Sequence, residues 1–126
     1  DVIKDIRKGL KQVVGEARTI AKNIPIYGSS HTGDIELRLD RSICPHGIIL
    51  ISDASLIFKG RDTITKEVLE LSRRHRMLIQ ILDLTELNYI VTRLNDRIHF
   101  DGYLVSRFQA TVERENAFIR MDIVHE

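Results

Sequence analysis

The acidic residues best spaced for metal chemistry are Asp34 and Glu36, two apart in the alternating segment Asp34-Ile35-Glu36-Leu37-Arg38-Leu39-Asp40. On a strand that spacing projects both carboxylates from one face, where hard oxygen ligands could hold a divalent cation, Mg2+ if the chain is a nuclease. Metal-assisted phosphodiester hydrolysis also needs a group to orient water. Arg38 takes the next outward position, and its guanidinium is too firmly protonated to act as a base. A solvated strand face is therefore the simpler account of these carboxylates. Ser52 and Asp53 follow the apolar run Ile48-Ile49-Leu50-Ile51. They would lie at the C-terminal rim of a sheet, where small ligands or nucleotides usually bind in α/β proteins. Cys44 and His46 are two residues apart around Pro45, a spacing that does not make a catalytic dyad.

Positive charge offers a second chemistry. At 100° per residue, Lys4, Lys8, Lys11 and Arg18 fall on one stripe of the first segment, with Arg7 and Lys22 beside them. Arg73, Arg74 and Arg76 form the densest basic run, around His75. Such residues could contact DNA phosphates and position the molecule without reading bases. Each group also has a structural account: the first is the solvated side of an amphipathic helix, and the second complements a helix C-terminus.

These groups require elements to hold them. Ile3, Ile6, Leu10, Val13, Val14, Ala17, Ile20, Ala21 and Ile24 share one face, which predicts a helix from Val2 to a stop before Pro25. Ile26 to Gly33 reads as a turn-rich stretch, and Asp34 to Asp40 as a half-buried strand. Ile48–Ile51 and Met77–Leu82 are nearly unbroken apolar runs, as in parallel strands covered on both sides. Between them Ile64, Val68 and Leu71 predict a helix from about Ile64 to His75. Asp83 and Glu86 match a capping box for a further helix through Leu84, Leu87, Ile90, Val91 and Leu94. Asp101-Gly102 reads as a two-residue hairpin turn between Arg97–Phe100 and Tyr103–Val105, with Phe118 to Val124 as a last strand. The expected class is α/β: a mixed sheet with a parallel βαβα middle section, helices on its faces and a C-terminal antiparallel hairpin.

The 126 residues suffice for one core, so residues 1–126 are expected to form a single α/β domain. Because the chain opens on Asp1 rather than Met, it also reads as a fragment of a longer protein. A net charge of +1 leaves no overall attraction for polyanions, only a locally basic face. A single cysteine excludes an internal disulfide and a thiolate-clustered metal site, and points to a reducing, cytoplasmic setting. No apolar run reaches the ~18 residues of a membrane span, so no membrane partner is expected.

Gly47-Ile48-Ile49-Leu50-Ile51-Ser52, then Thr65-Lys66-Glu67-Val68-Leu69-Glu70-Leu71-Ser72, then Met77 to Leu87 resemble the latter half of restriction-endonuclease-like domains of the Mrr type. The resemblance covers roughly Val2 to Leu94. It implies a nuclease-like core, and it would place Gln12, within Gly9-Leu10-Lys11-Gln12, facing an active site. The family's Pro-Asp and Glu/Asp-x-Lys pair does not occur in this chain, and Asp34-Ile35-Glu36 follows the first helix rather than preceding it. Three functions remain as expectations. The first is a nucleic-acid-associated domain, hydrolysing DNA with a metal if catalytic. The second is a non-catalytic scaffold or homo-oligomerisation module pairing through its C-terminal strands. The third is a small-ligand or nucleotide-sensing regulator at Ser52 and Asp53.

Overall fold

The computed structural model describes residues 1–22, 26–30, 32–37, 44–56, 59–94 and 100–122. The chain begins with α1 (Val2–Ala21), capped by Asp1, whose carboxylate accepts from the Ile3 amide at 3.0 Å. Its buried stripe is Ile6, Leu10, Val13 and Ala17, at the spacing of one helical face. Strands β1 (Ile26–Ser30) and β2 (Gly33–Leu37) pair antiparallel, with Ser30 opposite Gly33. Strand β3 (His46–Ile51) and, after helix α2 (Arg61–His75), strand β4 (Leu78–Asp83) pair in parallel, from His46 opposite Leu78 to Ile51 opposite Asp83. Helices α3 (Leu84–Arg93) and α4 (Phe100–Arg114) complete the order.

The parallel pair organises the core. Ile49, Ile51, Ile79 and Ile81 face α1 and α2 and pack with Ile6, Leu10, Val13, Ile64 and Val68. On the other side Leu82 joins Ile90, Tyr103 and Leu104 of α3 and α4. Helices thus cover β4 on both faces, which is why its sequence is apolar without alternation. Beyond its first residue, β3 alternates buried and exposed positions: Ile48 and Leu50 are 39% and 48% exposed. The close fit of α1 over β3 needs Gly47, where a β-carbon would stand 2.6 Å from Val13 Cγ1.

Several expectations are corrected. The mixed sheet is instead two separate two-stranded sheets among the described residues, one antiparallel and one parallel. The turn-rich reading of Ile26 to Gly33 gives way to β1 and the start of β2. No C-terminal hairpin forms among the described residues: Phe100–Arg114 is α4, Asp101-Gly102 lies in its first turn, and residues 97–99 of the expected first strand lie outside the described residues. Tyr103, Leu104, Arg107 and Thr111 are buried at helical spacing, so packing on β4 outweighs the turn propensity of Asp-Gly. Residues 118–122 are irregular rather than strand, and Ile123 and Val124 lie outside the described residues. Homo-oligomerisation through C-terminal strands loses its strands for the same reason. The restriction-endonuclease-like architecture is overturned as well: among the described residues no continuous mixed sheet forms, and no group of three or more His, Cys, Asp or Glu is placed to hold a metal. Helix α2 starts at Arg61, ahead of Ile64, because Gly60 at φ +83° turns the chain into it, and the Gly60 carbonyl accepts from the Ile64 amide.

Candidate nucleic-acid interface

The outer face of α1 carries Lys4, Lys8, Lys11 and Arg18, all exposed, on a ridge about 21 Å long at ~1.5 Å per residue. Packing of Ile6, Leu10, Val13 and Ala17 against the sheet forces these side chains outward. Gly15 lies on the same stripe and is open: a β-carbon there would meet nothing within 4 Å. None of the four cations makes an ion pair among the described residues. Arg7, at the ridge's edge, instead donates to Glu67 of α2 at 3.1 Å. Asp5, Gln12 and Glu16 lie beside the ridge and, with Gly9 and Ile48 to Leu50, line a groove of about 360 Å³ over β3. Gln12 is therefore an exposed groove residue.

The second basic group does not join the first. Arg74 pairs with Glu70 one turn earlier. Arg73 and Arg76 stand at the C-terminal end of α2, lining a separate apolar groove with residues of α4. Asp34 and Glu36 are placed in β2 by register, opposite Ser29 and Tyr27. The proposed metal role of their carboxylates, like Arg38 and Asp40, lies outside what is described.

At the C-terminal rim of the parallel sheet, Ser52 is exposed and Asp53 half-buried. Asp53 Oδ1 accepts from the Ser55 amide at 2.8 Å, and hydrogen bonds from Ser55 hold its carboxyl below the ordinary range. Asp83 is fully engaged. Its Oδ1 accepts from the Glu86 amide at 2.7 Å, capping α3 as expected. Its Oδ2 accepts from the Ala54 amide and the Arg120 guanidinium. The two carboxylates thus share the rim, but both serve the turns there.

Sequence reasoning misses a buried polar network between β4, α3 and α4. Arg107, 1% exposed, donates through Nε and Nη2 to the two oxygens of Glu86 at 2.8 and 3.1 Å. It also donates to the Ile81 carbonyl at 2.8 Å and to Gln80 Oε1 at 3.3 Å. Tyr103 donates its hydroxyl to Glu86 Oε2 at 3.0 Å. Burial, then the Glu86 charge and this hydrogen bond, push the Tyr103 hydroxyl well above the ordinary phenol range. Glu86 therefore does not close a capping box. Gln80, a lone amide inside an apolar strand, is the one local sign that a polar partner has to exist. Every donor of this network has a fixed internal acceptor, the arrangement expected of a structural tie.

No family model, curated protein or solved structure matches this chain. Among the described residues no helix is long and apolar enough to cross a membrane.

Proposed function

We propose that this chain is a nucleic-acid-associated domain that docks on the phosphate backbone through the outer face of α1. The observation that supports this reading is the ridge of Lys4, Lys8, Lys11 and Arg18, which have no ion-pair partners among the described residues, while Arg7 and Arg74 are neutralised by Glu67 and Glu70. Such a ridge suits a polyanion with closely spaced charges, and cations spread along one exposed helix face would hold phosphates rather than read bases, so binding would be sequence-tolerant. An anionic membrane is the poorer fit, because an interfacial helix inserts its apolar face, and that of α1 is used in the core. The setting would be cytoplasmic, where nucleic acid is present and the Cys44 thiol stays reduced.

The test is a salt titration with a labelled DNA duplex. Replacing Lys4, Lys8 and Lys11 together by Gln should weaken binding. The plot of log affinity against log salt should flatten by about 2.7, because each phosphate neutralised by the wild type adds ~0.9 to its slope. The same slope for both proteins would overturn the proposal.

A further inference from the structure

Between its basic ridge and its buried stripe, α1 carries a further side: Asp5, Gln12 and Glu16, all exposed, form one wall of the groove of about 360 Å³ over β3. Lys8 belongs to the ridge and also lines the groove, so the two surfaces are continuous. The other wall is β3, with Ile48 and Leu50 exposed. Among the described residues β3 pairs only with β4, so its second edge is open. The opposite flank of the ridge is closed, because there Arg7 reaches across to Glu67 of α2. The Gln12 amide has no hydrogen-bond partner among the described residues.

We infer that this groove seats an unpaired base of a single-stranded nucleic acid whose phosphates lie on the α1 ridge, an inference that rests on the phosphate docking proposed above. Charge sorts the two parts of the nucleotide. Lys4, Lys8 and Lys11 attract phosphates along the ridge, whereas Asp5 and Glu16 repel them from the groove and admit an uncharged base. Ile48 and Leu50 give the flat face of the base an apolar support. Gln12 brings both an amide donor and an acceptor, so it can meet the edge of any base, and the seat stays sequence-tolerant. A duplex cannot fill the groove, because its bases are stacked and paired inside. With the α2 flank closed by Arg7 and Glu67, the β3 side is the one to which the bases turn.

Fluorescence anisotropy at low salt with labelled probes of equal strand length tests this: oligothymidylate, its abasic counterpart and a duplex. The abasic strand keeps the phosphates and so reads the ridge alone. Oligothymidylate should bind about tenfold tighter than the abasic strand, the contribution of roughly one base contact. Ile48→Thr combined with Leu50→Thr puts β-branched side chains at exposed strand positions, so the thermal midpoint should hold. That variant should lose the tenfold advantage while keeping its affinity for the abasic strand and the duplex. Gln12→Ala, on the helix surface, should reduce the advantage as well. Equal affinity for oligothymidylate and the abasic strand would overturn this inference and leave the ridge proposal standing. An advantage undiminished in either variant would also overturn it. Binding of none of the probes would overturn both.

Discussion

Replacing Arg107 with methionine would leave the Glu86 carboxylate buried with one hydroxyl donor, from Tyr103. Removing one partner of a buried pair costs about 3–5 kcal/mol, whereas exchanging both for apolar side chains is often near neutral. Urea unfolding should therefore show a large loss for Arg107→Met and a substantially smaller one for Arg107→Met combined with Glu86→Leu. Tyr103 adds a pH-dependent contribution with a definite sign. Its hydroxyl is held above its ordinary value of 10.0, so the folded state favours the neutral form. That contribution is complete below pH 10 and is lost as pH rises from there towards the folded value. Tyr103→Phe should cost about 1 kcal/mol at pH 8 by removing the hydrogen bond. The gap to wild type should narrow by pH 11, and a gap constant across that range would contradict the assignment.

At the scale of elements, three glycines on or beside helices should respond differently. Gly15→Ala adds a methyl into open space on α1 and should stabilise by about 1 kcal/mol through helix propensity. Gly9→Ala gains the same propensity but sets a β-carbon 2.9 Å from Ile49 Cγ2, so most of the gain should vanish. Gly47→Ala meets Val13 and Met77 at once and should destabilise by about 1–3 kcal/mol, as overpacking does. Thermal midpoints of the three variants would rank them. The elements legible in the sequence are those whose local signals agree with their packing. For α1 this is an unbroken apolar stripe, although the helix ends at Ala21 and the expected stop at Pro25 lies outside the described residues; for α3 it is Asp83 as cap. Helix α4 reads wrongly because its turn-like Asp-Gly is a local signal, whereas what makes it helical is distant. Arg107 finds Glu86 across 21 residues and Ile81 across 26. No spacing rule in a single sequence carries that information. The basic ridge is legible because it lies within one helix. The groove is not, because its walls come from α1 and β3.

Across the whole molecule, the unequal coverage of β3 and β4 has a measurable counterpart. Ile49 is buried under α1, while its neighbours Ile48 and Leu50 face outward. Ile49→Ala should cost about 2–5 kcal/mol, while Ile48→Lys and Leu50→Lys should change stability by no more than ~0.5 kcal/mol. Equal costs at all three positions would mean that both faces of β3 are covered. The guanidinium of Arg107 bears on how the molecule is made. Until α4 has left the ribosome, Glu86 and Gln80 have no basic group to shield them, and the surface of β4 towards α3 stays wet. Synthesis halted before that point should yield a nascent chain that proteases cut readily, with resistance arriving in one step once the residues through Ala117 are free of the exit tunnel.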